Sequence, residues 1–222
     1  MAVLKTVAAG ADRFRMLHLL LLTSERAWAS AMATKASHSE DNADKNITGS
    51  TRRHIVSRLS KAVRHAKQIV ELLSDSSASG ASETDVLEAR AYVYALSGAE
   101  EFEKQAEGVK SKNAKPERWV TCLTSFSAAR IIYSSLLKST KKELFKDVLA
   151  GTIDPSIRYA AYQSRIPRTV GVPSVATKYF PKDNEKLVQA VQRLDPAALQ
   201  EEEAASSRGS INTSTQISLT AV

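Results

Sequence analysis

The sequence predicts an all-α fold, on three observations. Ala, Leu, Ser, Lys, Arg and Glu recur throughout while Gly and Pro number only 8 and 6 in 222 residues, a composition of helix formers with few breakers. Apolar residues return at three- and four-residue steps over four long stretches. Between those stretches lie short Ser-, Asp-, Asn- and Gly-containing segments of the kind that end and restart helices.

The first helix runs from Phe14 to about Ala36, with Leu17, Leu20, Leu21, Trp28, Ala31 and Met32 on one side. An exposed loop from His38 to Thr51 follows, tolerant of insertion or cutting. Thr51 is placed to cap a second helix whose apolar seam is Ile55, Leu59, Ala62, Ala66, Ile69 and Leu73. The Ser-rich stretch from Ser74 to Ala81 ends it, and Ser82 with Asp85 has the spacing of a capping box. A third helix carries Val86, Leu87, Ala89, Tyr92, Val93, Leu96 and Phe102 and fades near Gly108. Pro116 opens a fourth, with Trp119, Val120, Leu123, Phe126, Ala129, Ile132, Tyr133 and Leu136, and pairs with the third as a hairpin.

Within the fourth helix Cys122, Phe126 and Ala129 keep the small-aromatic-small spacing of the second helix of a tetratricopeptide repeat. Tyr94, Leu96, Gly98 and Phe102 echo the first helix only loosely, and no regular repeat period emerges. A shorter fifth helix is predicted over Lys141 to Leu149. Asp154-Pro155 then reads as an N-cap followed by Pro at the first helical position. Pro167, Gly171, Pro173 and Pro181 break the following stretch to Phe180, and Asn184 to Leu194 is helical again. The expected architecture is a tetratricopeptide-like stack of about six antiparallel helices over residues 1–195, with a disordered tail over 196–222.

Thirty-one Lys and Arg against 24 Asp and Glu give a charge of +7 and a pI near 9.5, which draws the chain to anionic partners. The charge is concentrated on the second helix. Arg52, Arg53, Arg58, Lys61, Arg64 and Lys67 occur with His54 and His65, and no acid lies between Asp44 and Glu71. At about 100° per residue, His54, Arg58, Lys61 and His65 share a face beside the apolar seam, with Arg53, Arg64 and Lys67 further round. Charged helix faces normally alternate sign, because like charges four apart destabilise a helix by a few tenths of a kcal/mol, about 0.2–0.5. An unbalanced face therefore points to a polyanion, and these eight residues are the candidate binding set. Arg13 and Arg15 at the start of the first helix are added as weaker candidates, as is the cluster Lys110, Lys112, Lys115 and Arg118. Lys138, Lys141 and Lys142 fit helix-end stabilisation. Arg158 beside Tyr159 fits pairing with a backbone carbonyl or a buried acid as well as with RNA.

Catalytic and metal chemistry find no pattern. His18, His38, His54 and His65 form no metal or hydrolase motif, there is no phosphate-cradling glycine loop, and the lone Cys122 falls on an apolar helix side. No cofactor is expected, and Trp28, Trp119 and Tyr133 are expected in the core. The most apolar run, Met16 to Leu22, is too short and too interrupted to cross a bilayer, so no stable membrane insertion is expected. It is also not expected to be a signal peptide, since the helical pattern continues through Trp28 and Met32. The sequon at Asn46 reads as a chance match.

LLLLTSERAWASAMATK from Leu19 to Lys35, TRRHIVSRLSKAVRHAKQIVELL from Thr51 to Leu73, LEARAYVYALSGAEEFEKQ from Leu87 to Gln105 and DPSIRYAAYQ from Asp154 to Gln163 occur in this order. Over roughly residues 17–165 the chain resembles the RNA-binding region of the 68-kilodalton subunit of the eukaryotic signal recognition particle. The resemblance implies a tetratricopeptide-like helical domain that binds the particle's RNA near its branched junction. It further implies a structural role in assembly and in co-translational targeting to the endoplasmic reticulum, in the cytoplasm with a nucleolar assembly phase, without catalysis. Partners so implied are that RNA and the other subunits, the 72-kilodalton one through regions not matched here. The family is expected to carry an arginine-dense helical segment ahead of the first matched helix, whereas Met1 to Asp12 hold only Lys5 among Lys and Arg. The competing reading is a helical protein-interaction module that binds an acidic partner.

Overall fold

A computed structural model describes residues 2–38, 47, 49–75, 80–106 and 116–200, with side chains from Asp12 onward. These residues form an all-helical, tetratricopeptide-like stack. Helices α1 (Ala2–Ala36), α2 (Gly49–Ser74) and α3 (Glu83–Ala106) pack in succession. A 3₁₀ turn (Pro116–Trp119) leads into α4 (Val120–Thr140), and α3 packs along α4. Helix α5 (Glu143–Val148), a π turn (Leu149–Ile153), α6 (Asp154–Gln163), α7 (Val172–Tyr179) and α8 (Glu185–Leu194) then surround α4.

Helix α4 is apolar around most of its circumference and is buried accordingly: Cys122, Leu123, Phe126, Ala128, Ala129, Ile132 and Leu136 are all within 2% of full burial. Its length and composition, with the turn before it, would suffice to cross a membrane, but most of it is enclosed by the other helices, as expected of a core helix. Burial pushes the Cys122 thiol up to about 12, which keeps it protonated and unreactive. Its Sγ–H donates to the Gly98 carbonyl at 3.6 Å. Here α3 and α4 approach so closely that a methyl at Gly98 would lie 2.7 Å from Phe126 Cδ1. The small-aromatic-small spacing thus marks the tightest helix contact, with Gly98 as its complement.

Several boundaries differ from the sequence expectation. Helix α1 reaches back to Ala2, and α2 starts at Gly49, ahead of Thr51. Asp154 does not cap a new helix. Ile153 before it is already helical, and the path runs from α5 through the π turn into α6. Pro155 has no N–H to return to the preceding turn and Gly151 lies in that turn, so the wider coil absorbs the missing bond. The Asp154 carboxylate instead accepts from Arg130 Nε at 2.9 Å. Helix α7 lies in the stretch read as broken. Gly171 precedes it and Pro173 falls in its first turn, where no N–H is needed, while Val172, Val175 and Ala176 are buried. Asn184 caps α8 by accepting from the Leu187 N–H at 3.1 Å.

Trp119 and Tyr133 lie in the core as expected, but Trp28 is 39% exposed and Leu21 is exposed too. Helix α1 is an outer helix with one principal neighbour, α2, so a single stripe of Ser24, Ala27 and Ala31 is covered and its shoulders are not. Ala198 and Leu199 pack against the core, past the expected start of the tail at 196, while residues 201–222 lie outside the described set. So does most of the loop between α1 and α2, including Asn46.

Two outcomes test these contacts. Gly98→Ala should lose about 1–3 kcal/mol in urea unfolding despite the better helix propensity of Ala, because the added methyl meets Phe126; an unchanged midpoint would show that the contact yields. Ser82 and Asp85 exchange hydrogen bonds, Ser82 N–H to Asp85 Oδ2 at 2.9 Å and Asp85 N–H to Ser82 Oγ at 3.2 Å, and the Ser82 bonds hold the Asp85 carboxyl below its ordinary 3.8. The contribution of this capping box is therefore present above that value and lost as pH falls through the lower folded-state value. Ser82→Ala should cost about 1 kcal/mol at pH 7 and less at pH 3, measured by chemical unfolding at both.

Candidate nucleic-acid interface

The α1–α2 hairpin is joined by small side chains. Ala27, Ala62, Val63 and Ala66 form one buried cluster, and Ala31, Ile55 and Leu59 another. Small residues let the axes approach, so polar groups on the hairpin's outer edge also come together. A buried polar network sets the register: Ser24 Oγ donates to the Ala62 carbonyl at 3.0 Å and lies 3.0 Å from Tyr92 Oη, which donates to Glu25. Burial first, then the Glu25 hydrogen bond, pushes the Tyr92 phenol far above its usual range. One hydroxyl thus ties α1, α2 and α3 together.

Arg58 and Lys61 of α2 line one cleft with Thr23, Arg26, Ala27 and Ser30 of α1. Ser57, Ser60 and Arg64 extend the surface around the helix. Arg53, His54, Arg64 and Lys67 are exposed, and Arg58 and Lys61 partly exposed. Among the described residues none of Arg26, Arg53, Arg58, Lys61, Arg64 and Lys67 forms an ion pair; Arg53 Nε donates only to the Gly49 carbonyl at 3.3 Å. The Thr23 hydroxyl is committed to α1, Oγ1 donating to the Leu19 carbonyl at 2.6 Å, and Ser30 lines the cleft beside this cation row.

Other predicted site residues are placed differently. Arg52 turns inward: Nη1 lies 3.2 Å from Glu103 Oε2, on a carboxylate only 4% exposed that also takes Lys35 Nζ at 2.6 Å. This guanidinium ties α2 to α3 and is not free for a ligand. His65 is half-buried with Nδ1 3.0 Å from Gln68 Oε1. Arg13 faces Asp75 at 3.8 Å and Arg15 faces Asp12 at 3.7 Å, long exposed pairs of the kind that contribute little, about 0–1 kcal/mol, and that a ligand can displace. Lys110, Lys112 and Lys115 lie outside the described residues; Arg118 donates to Gln105 Oε1 at 3.0 Å. Lys138 pairs with Asp195 at 2.9 Å, and Lys141 caps α4 in the left-handed conformation.

Arg26 was not among the residues expected from sequence. Thr23, Arg26 and Ser30 repeat at three- and four-residue steps just beside the buried Ala27 and Ala31, a signal readable only once it is known which side of α1 meets α2. Among the described residues no three His, Cys, Asp or Glu side chains converge as metal ligands.

A helical stack whose outer hairpin shows solvent a row of cations, unpaired among the described residues, has the surface chemistry of a polyanion-binding domain. Residues 6–220 match the family model described as SRP68, RNA-binding signal recognition particle 68. The chain belongs to that family. It is 28% identical over 151 residues to the signal recognition particle subunit SRP68 of Drosophila melanogaster, covering 67% of this chain and 21% of that protein, so it spans about a fifth of this curated relative's length. The solved structure of the SRP68-RBD from Chaetomium thermophilum is similar, at 48% identity and TM-score 0.58, over 74% of this chain and 68% of the other.

The Glu103 node generates a stability prediction. Glu103→Ala leaves Arg52 largely buried without its counter-charge and should cost about 2–3 kcal/mol, whereas Arg52→Met with Glu103→Leu should cost clearly less than the sum of the two single changes. Urea midpoints that add without coupling would remove the pair from the α2–α3 contact.

Proposed function

We propose that this chain binds the RNA of the signal recognition particle near its branched junction, as a structural and assembly subunit without catalytic activity. The observation that carries the proposal is the row Arg26, Arg53, Arg58, Lys61, Arg64 and Lys67, unpaired among the described residues, on a domain of this family. Phosphate contacts supply most of the affinity, and the cleft between α1 and α2 accepts backbone oxygens at Arg26, Arg58 and Lys61. A-form duplexes hide their base edges in a deep groove, so recognition is by the shape of the junction. Arg13, Arg15, His54 and His65 extend the surface along the hairpin, while Arg52 acts on it from within by tying α2 to α3. In the particle the chain works beside other subunits, the 72-kilodalton one engaged through family regions beyond those matched here. It serves targeting of nascent proteins to the endoplasmic reticulum, in the cytoplasm after a nucleolar assembly phase.

Arg53→Ala, Arg58→Ala and Lys61→Ala combined should weaken binding to the branched RNA and flatten the dependence of log K on log salt by about 2–3 units, while leaving stability within about 0.5 kcal/mol per site. The check is a salt series with branched RNA and with plain duplex of equal length. Preferential binding to the branched RNA that the triple variant loses supports the proposal; an unchanged salt slope, or equal affinity for both RNAs, overturns it.

A further inference from the structure

At the other end of the stack, away from the α1–α2 hairpin, helices α6 and α7 enclose a groove of about 620 Å³, within the size range of built binding sites. Its floor is aliphatic: Ile157, Val172 and Val175 are buried beneath it. Arg158 and Arg168 line it and no carboxylate does. The turn closing α6 shapes one wall of the groove. Arg165 takes the left-handed conformation at φ 61, where glycine is favoured, and the Ile166 N–H returns to the Ala161 carbonyl at 2.9 Å. That closure brings Ile166 and Ala161, both lining residues, to one wall and leaves Arg165 exposed. Arg158, Arg165 and Arg168 are all exposed and form no ion pair among the described residues.

We propose that the α6–α7 groove is a docking site for an acidic segment of a partner protein, which seats an aliphatic or aromatic side chain on the Ile157–Val172–Val175 floor and sets flanking carboxylates against Arg158 and Arg168. Charge complementarity selects the acidic partner, since two guanidiniums in the lining of an apolar hollow with no acid in it match an apolar anchor between carboxylates. Nucleic acid fits less well at the floor, which is aliphatic and offers a base no stacking surface. The lining tyrosines, Tyr159 at 40% and Tyr162 at 59% exposure, already have ring partners: Tyr159 packs with Phe102 and Trp119 at 5.0 and 5.7 Å, and Arg168 lies 5.4 Å from the centre of the Tyr162 ring. This site is separate from the basic hairpin and does not rest on the RNA reading.

The test is selection of a displayed random-peptide library on the intact chain, followed by binding of the enriched synthetic peptides. The peptides should share an aliphatic or aromatic anchor flanked by Asp or Glu. Their affinity should fall by about tenfold or more in Arg158→Glu with Arg168→Glu, and also in Tyr162→Ala, all at exposed positions that leave the helical circular dichroism unchanged. It should be unaffected by the Arg53, Arg58 and Lys61 triple variant, and the groove variants should bind branched RNA as the parent does. Three results would overturn the proposal: no acidic consensus, or binding that charge reversal leaves intact; loss of RNA affinity in the groove variants, which would make the groove part of the RNA surface; and displacement of the probe by a peptide of residues 201–222, which would make the occupant this chain's own segment.

Discussion

Helix α4 carries apolar side chains around most of its circumference, so it is stable only with neighbours on nearly every side. That constraint organises the chain. The third helix closes one side through the Gly98–Phe126 contact, and the short helices from α5 to α8 have to wrap the others between Glu143 and Leu194. The π turn at Leu149–Ile153 belongs to that wrapping, since it lets the path continue through Pro155 while Ile153 and Ile157 stay fully buried. With α4 enclosed, α1 and α2 are left as an outer pair at one end, and α6 with α7 as the rim at the other.

The outer pair is free to carry one sign of charge because its inner contacts need none. Ala27, Ala31, Ala62 and Ala66 bring the helices close with no polar requirement, and the polar ties that exist, Ser24–Tyr92–Glu25 and Arg52–Glu103–Lys35, consume acids on the inner side. Glu103, only 3% exposed, is thereby withdrawn from the solvent face, and the half-buried Glu25 is engaged by Tyr92. The positive surface is as much a result of where these acids are held as of where the bases stand. Like-charge repulsion along α2 costs only tenths of a kcal/mol per pair, about 0.2–0.5, against the burial of Ile55, Leu59 and Ile69, each a side chain contributing about 1.5–3 kcal/mol.

The family relation and the geometry support one another from different sides. A match over residues 6–220 places the chain in the family, and the cleft between α1 and α2 supplies cations that form no ion pair among the described residues. The chain covers about a fifth of the length of its curated fly relative. The groove at the α6–α7 rim gives the domain a second surface of different chemistry, aliphatic within and cationic at the edge.

By itself the sequence determined the helices with unbroken apolar seams, the Ser82–Asp85 cap, the buried and inert Cys122 and the basic character of α2, because each depends on spacing within one element. Tertiary structure decided what depends on a neighbour. It turned Arg52 inward to Glu103, joined Arg26 to Arg58 and Lys61, exposed Trp28 because α1 has one principal partner, and drew Asp154 from a cap into a pair with Arg130. It also made a helix of Val172–Tyr179, whose Pro and Gly read as breaks until the α4 surface was there to bury Val175 and Ala176. Spacing fixes which face of a helix is apolar. Which flank of that face meets a carboxylate, a second cation or water is set by the packing of separate elements, and no local pattern encodes it.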